Sequence, residues 1–159
     1  MKTGIFYGST TGNTERIAKR VGELLGADVF EAVDIGKADD YERIILASST
    51  WGMGDLQDSW IASLDELKAK NLSGKKVAFI GVGDQASFGD SFVDAIGILY
   101  EEIAGKGISL VGTTSTEGYT FSASKAVVDG DFVGLVLDEN NQPELTEQRI
   151  SDWVALLGK

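Results

Sequence analysis

Apolar positions along this chain follow two rhythms that take turns. Residues 3–8, Thr-Gly-Ile-Phe-Tyr-Gly, form a short strand-like run. Residues 14–25 then place Ile17, Val21, Leu24 and Leu25 on one helical face, with Glu15, Arg16, Lys19, Arg20 and Glu23 largely opposite. Gly26 stands where a helix C-terminal glycine belongs. Residues 29–33 alternate weakly as a second strand. Residues 43–49 contain Ile44-Ile45-Leu46-Ala47, a continuous apolar run of the kind buried on both faces of a sheet. Residues 59–70 are helical by period through Trp60, Leu64 and Leu67, and residues 77–82 are a second two-faced strand. A helix over 91–105 carries Phe92, Ile96, Leu99 and Ile103. Residues 108–113 read as a fifth strand, and 144–157 as a last amphipathic helix with Ile150, Trp153, Val154 and Leu157.

Strands alternating with helices imply parallel pairing, right-handed crossovers and helices on both faces. The expected fold is therefore an α/β doubly wound five-stranded parallel sheet, with residues 1–159 as one domain. One region is irregular. Residues 114–137 are rich in Gly, Ser and Thr and end in a strand-like Phe132-Val133-Gly134-Leu135-Val136-Leu137. That is too long for a simple connection, so it should carry small structure of its own.

Composition then narrows the chemistry. The chain has no Cys and no His, which excludes disulfides, thiolate metal sites and the usual general base. A Ser–His or Cys–His hydrolase cannot be built from it, so a bound cofactor is expected to carry any demanding reaction. Asp and Glu total 25 against 14 Lys and Arg, a net charge of −11. That field repels nucleic acid and anionic membrane surfaces and attracts basic proteins, although simple solubility would explain it equally well. No apolar run is long enough to span a bilayer, and the first residues lack a signal-peptide pattern, so a cytoplasmic location is expected.

In an open parallel sheet, ligands bind beyond the carboxyl ends of the strands, where the strand order switches. The loop after the first strand is Ser9-Thr10-Thr11-Gly12-Asn13-Thr14, opening directly into a helix. Its hydroxyls and the free amides of a helix N-terminus make a phosphate cradle. It has no Lys or Arg, which suits a terminal monophosphate better than a triphosphate. Taken alone, the loop is equally a well-supplied helix cap. The loop after the third strand, Ser48-Ser49-Thr50-Trp51-Gly52-Met53-Gly54-Asp55-Leu56, sets a Trp beside glycines. Its ring is expected to stack on a flat aromatic ligand, whereas Trp60 and Trp153 read as helix core. The loop after the fourth strand, Gly83-Asp84-Gln85-Ala86-Ser87-Phe88-Gly89-Asp90, offers a second aromatic for the opposite face. Asp55, Asp58, Asp84 and Asp90 would surround such a ring with negative charge.

These segments resemble the flavodoxin family, and its long-chain branch in particular. Ser9-x-Thr11-Gly12-x-Thr14 looks like the family's FMN phosphate loop, and Thr50-Trp51-Gly52-Met53-Gly54-Asp55-Leu56 like its first ring loop. Gly83-Asp84-Gln85 through Phe88, followed by Asp94-Ala95-Ile96-Gly97, resembles the second. Ser115-Thr116-Glu117-Gly118-Tyr119, within 114–137, is similar to the insertion that divides the fifth strand of long-chain members. Phe132-Val133-Gly134-Leu135 and Asp138-Glu139-Asn140-Asn141-Gln142 extend the likeness over nearly the whole chain.

The resemblance implies strand order 2-1-3-4-5 with FMN at the switch point, an arrangement for which flavodoxin is itself a standard illustration. It implies a phosphate held by Ser9, Thr10, Thr11, Gly12, Asn13 and Thr14, and a ring held by two loops. The first contributes Ser49, Thr50, Trp51, Gly52, Met53 and Gly54; the second contributes Val82, Gly83, Asp84, Phe88 and Ser91. It further implies a monomeric low-potential one-electron carrier, passing between oxidised, semiquinone and hydroquinone states and turning over no substrate alone. The implied partners are a basic NADP-linked flavodoxin reductase and low-potential oxidoreductases. In the family the peptide after the loop aromatic turns on reduction, and Gly52 would ease that turn. Phe88 stands where most members have Tyr, and Ser49 where Pro is frequent. The alternative is a flavodoxin-like NAD(P)H:quinone reductase. A phosphoacceptor domain of the same topology is excluded, because Gly8-Ser9 and Ser48-Ser49 stand where it needs carboxylates.

Overall fold

In a computed structural model, residues 1–9, 12–51 and 55–158 are described, with Trp51 and Asp55 placed by their backbone alone. The chain runs β1 (Thr3–Gly8), α1 (Asn13–Leu25), β2 (Asp28–Glu31), a 3-10 run (Ala32–Asp40), β3 (Arg43–Trp51), β4 (Asp55–Leu56), α2 (Asp58–Ala69) and β5 (Lys76–Val82). It continues through α3 (Asp94–Ile103), β6 (Ser109–Leu110), β7 (Thr114–Ser115), β8 (Val127–Val128), β9 (Asp131–Phe132), β10 (Leu135–Leu137), a 3-10 turn (Pro143–Leu145) and α4 (Thr146–Leu157). Among the described residues, no helix is long and apolar enough to cross a membrane.

The main sheet has the order β10-β5-β3-β1-β2, all parallel. Counting β5 as the fourth parallel strand and β10 as the fifth, this is the expected 2-1-3-4-5. The two-faced runs explain the layers. Successive strand side chains point to opposite faces, so Ile5, Ile45, Ala78 and Ile80 meet Ile17, Val21, Ile150 and Trp153 under α1 and α4. Phe6, Ile44, Leu46, Val77 and Phe79 face the other way and pack with Trp60, Leu67, Ile96 and Leu99 under α2 and α3. Trp60 and Trp153 are core, and each buried indole N–H finds a backbone carbonyl, Ala47 at 2.8 Å and Gly112 at 2.8 Å.

The fifth strand differs most from its sequence pattern. Only Ser109–Leu110 of the run 108–113 pairs with β5, opposite Lys76 and Val77. The chain then leaves the edge, forms an antiparallel sheet β7-β9-β8, and returns as β10 opposite Ile80, Gly81 and Val82. The β8–β9 hairpin turns at Asp129-Gly130, both with positive φ (54° and 87°), the pair that a two-residue hairpin prefers. The re-entry point admits no side chain: a Cβ on Gly134 would lie 2.0 Å from the Phe79 carbonyl oxygen. The two pieces of the strand flank Ala78 and Phe79.

Two boundaries also shift, and one polar residue proves buried. The second strand ends at Glu31 and not at 33, and residues 32–40 form a 3-10 run whose buried Ala32, Ile35 and Ala38 are spaced by three, the period at which 3-10 side chains eclipse. Helix α3 starts at Asp94 and not at 91, because Val93 is left-handed (φ 47°). Arg43 is buried at the start of β3 and donates to Thr3 Oγ1 (3.0 Å) and to the carbonyls of Leu157 (3.1 Å) and Gly158 (3.0 Å). It thereby satisfies carbonyls at the end of α4 with a cation, the favourable sign for a helix C-terminus.

Gly134→Ala should destabilise the protein by about 3 kcal/mol, at the upper end of overpacking costs, because the obstacle is backbone. Denaturant unfolding measures it, and a loss below ~1 kcal/mol would mean that the edge shifts freely to admit a methyl.

Candidate functional site

A cleft of about 300 Å³ opens beyond the carboxyl ends of β1, β3 and β5. Its first wall is the start of α1. Asn13 and Thr14 line it, and Thr14 is buried there. The helix ladder begins with the Arg16 amide donating to Gly12 O (3.0 Å), so the amides just before Arg16 have no helical acceptor. No described side chain caps this end. Ser9 Oγ accepts from the Gly12 amide (3.0 Å), which shapes the loop and leaves the hydroxyl proton free to donate. Ser9 and Gly12 stand beside the cleft without lining it, and Thr10 and Thr11 lie outside the described residues.

The second wall is the end of β3, where Ser49 and Thr50 line the cleft. Thr50 Oγ1 accepts from the Ala95 amide (3.0 Å), tying this strand end to the first turn of α3. Trp51 stands opposite Asp55 across the antiparallel β3–β4 pair. Gly52, Met53 and Gly54, with the expected ring stacking of the Trp51 side chain, lie outside what the structure describes.

The third wall is the loop after β5, with Val82, Gly83, Asp84, Phe88 and Ser91. Phe88 is 43 % exposed and lines the cleft, so its ring is available to pack on a ligand there. Asp84 accepts from the amides of Ala86 (3.1 Å) and Ser87 (3.0 Å) and from the side chains of Asn141 (2.8 Å) and Asn140 (3.0 Å). The Ser87 amide above all brings its carboxyl down to about 2, helped by both Asn side chains and opposed by partial burial. Asp84 therefore acts as the knot of its own turn. Asp58 and Asp90 are the exposed acids of this rim.

Four lining residues were not anticipated: Phe92, Val93, Glu139 and Asn140. Glu139 and Asn140 follow β10, itself a strand whose carboxyl end faces the cleft. The rule that singled out the loops after strands one, three and four would have found them had β10 been recognised as the fifth strand's second half. Asp138, with no exposure, builds this turn. Its carboxylate accepts from the amides of Gln85 (3.0 Å), Asn140 (3.1 Å) and Asn141 (3.0 Å) and from Gln85 Nε2 (2.8 Å). Gln85 Oε1 in turn accepts from the Thr120 amide (2.6 Å). The insertion continues this bracing: the Ser122 and Ala123 amides reach Gly89 O, and the Lys125 amide reaches Asp94 Oδ1 (2.7 Å). Burial pushes the Asp94 carboxyl up, against the pull of that amide.

Two buried hydroxyls on the lining, Ser49 Oγ and Ser91 Oγ, have no partner among the described residues. Such groups are costly unless a ligand or water completes them. The donor set is one of hydroxyls, amides and aromatic carbon, and among the described residues no acidic cluster is arranged to hold a metal. It fits a ligand with an anionic end, a polar middle and a flat ring.

The depressed carboxyl of Asp84 has a pH signature. Its contribution to stability is complete above the ordinary Asp value near 4 and is lost as pH falls towards about 2. Acid unfolding of Asp84→Asn should show a shallower fall in stability over that window than the parent. Equal slopes would mean that this carboxylate gains nothing from the fold.

The comparisons with known proteins agree with this architecture. The family model described as flavodoxin matches residues 5–153. A flavodoxin of Synechocystis sp. is 48% identical, covering 97% of this chain and 94% of that protein. Flavodoxin 1 of Azotobacter vinelandii is 40% identical, covering 98% and 95%. The crystal structure of Fusobacterium nucleatum flavodoxin bound to flavin mononucleotide superposes with a TM-score of 0.94 at 36% identity, covering 99% of this chain and 97% of that one. With near-complete coverage on both sides and the same strand order, the chain belongs to the flavodoxin family.

Proposed function

We propose that the cleft holds FMN and that the chain is a cytoplasmic, low-potential one-electron carrier, acting through other proteins and turning over no substrate alone. The observation that carries this reading is the pairing, among the described residues, of a helix N-terminus without a side-chain cap and two buried hydroxyls without a partner around one cleft. Bound FMN supplies reversible one-electron chemistry at a potential that the surrounding protein adjusts.

The chain's own part is to bind, orient and shield. The leading amides of α1, with the hydroxyls of Ser9, Thr10, Thr11 and Thr14 and the side chain of Asn13, are suited to the phosphate; Gly12 lets the loop turn into the helix. Phe88 would cover one ring face and Trp51 the other, with Gly52, Met53 and Gly54 in the same loop as Trp51. Val82 and Gly83 bring backbone close to the ring, while Ser49, Thr50 and Ser91 offer hydroxyls to its polar edges. Asp84 fixes the loop that carries Phe88. The acidic surroundings would disfavour added negative charge on a bound ring and so would lower its potential.

The partners proposed are a basic NADP-linked reductase and low-potential oxidoreductases, met by a monomer through the rim that includes Asp58 and Asp90. The surplus of acidic residues favours steering of basic surfaces towards the molecule.

Two measurements test the proposal. Apoprotein titrated with FMN should bind it far more tightly than riboflavin, which lacks the phosphate. Equal dissociation constants would remove the phosphate assignment, and NADPH oxidation by the purified protein alone would favour the quinone-reductase alternative. Electron-transfer rates to a basic reductase should fall as ionic strength rises past ~0.15 M, where the Debye length is about 8 Å. Rates indifferent to salt would sink the steering role of the acidic rim.

A further inference from the structure

The corner of the cleft next to α1 contains a carboxylate that a phosphate should avoid. Glu139 lines the same cleft as Asn13 and Thr14, and its side chain is 12% exposed. It is held in place, because Thr146 Oγ1 donates to its Oε2 (2.9 Å). Its other oxygen pairs with Arg16 Nη2, on the first turn of α1. A phosphate monoester carries about −1.5 to −2 charges at pH 7, so an uncompensated Glu139 would oppose it just where the helix end attracts it.

The loop 9–14 supplies no cation of its own. Asp84, the other carboxylate on the lining, is engaged by amides and by Asn140 and Asn141. Glu15, in the same first turn, is paired with Lys19 (2.7 Å), so the charge balance at this corner turns on the Arg16–Glu139 pair. We infer that Arg16 is a specificity-determining residue for the cofactor's phosphate, acting by neutralising Glu139 and so letting a dianion settle at the start of α1. Arg16 is 58% exposed, so it takes this part at the surface and carries little of the fold.

This inference rests on the proposal that the start of α1 receives the phosphate, and the experiment separates the two. Apoprotein of the parent, Arg16→Gln, Arg16→Lys, Glu139→Gln and the double Arg16→Gln/Glu139→Gln is titrated with FMN and with riboflavin, at low and high salt. Arg16→Gln should weaken FMN roughly three- to tenfold at low salt, the scale for a partly screened charge acting on a dianion nearby, and leave riboflavin unchanged. Arg16→Lys should retain most of the parent affinity, and the double variant should return close to it. High salt should shrink the Arg16→Gln penalty. A parent that binds both ligands alike overturns the phosphate assignment and the inference with it. A parent that prefers FMN, with an Arg16→Gln variant that keeps the same preference, overturns the inference alone. Equal losses of FMN and riboflavin also overturn it, because they mark a merely structural role.

Discussion

A carboxylate hidden from water needs donors on all sides, and at Asp138 that requirement organises the cofactor side of the molecule. Burying an ionised group without partners is prohibitively costly, and Asp138 avoids the cost by collecting amide N–H groups from its own turn and from Gln85. The donors belong to the two loops that border the cleft. The turn sets Glu139 and Asn140 on the cleft; Gln85 sits in the loop that carries Phe88; and Gln85 passes the contact on to Thr120. Three segments far apart in sequence are thereby held in one register.

The insertion completes this bracing from outside. Phe92 lies on the cleft and packs on Phe121 (centroids 5.4 Å), Tyr119 (5.9 Å) and Phe132 (6.0 Å), all from the inserted segment. Tyr119 is itself tied down, its hydroxyl donating to Val136 O (2.5 Å) and its ring lying under Arg149 of α4 (4.1 Å). The positive φ of buried Val93, a strained state for a β-branched residue, persists because Asp94 and Ala95 are held immediately beyond it by Lys125 and Thr50. Strain next to a ligand cleft is tolerated when its neighbours leave the chain no alternative.

What could be read from the sequence follows from how local each feature is. β1, β3 and β5 are continuous apolar runs because both their faces are covered, and α1 shows its stripe because only one face is. The three loops at their carboxyl ends were readable for the same reason: position in an open parallel sheet follows from strand order. The insertion in the fifth strand was legible only through the family resemblance, because where the chain leaves and rejoins the sheet rests on contacts between distant residues, such as Gly134 against the backbone of Phe79. Glu139 and Asn140 escaped as cleft residues for the same reason. The Asp129-Gly130 turn was a local signal that composition obscured, lying in a stretch rich in Gly and Ser. Nothing near Arg43 in the sequence marks it as buried, because only the return of α4 makes it a clamp.

The divided fifth strand also bears on how the molecule behaves in company. An open sheet edge invites the edge of another copy, and long, flat edges are where strand addition and fibril growth begin. Here β6 and β10 are two short pieces, two and three residues long, separated by a segment that leaves the sheet. The opposite edge, β2, has only four residues. Neither side gives a second chain a long template, so the insertion that braces the cleft also protects the sheet from its own copies.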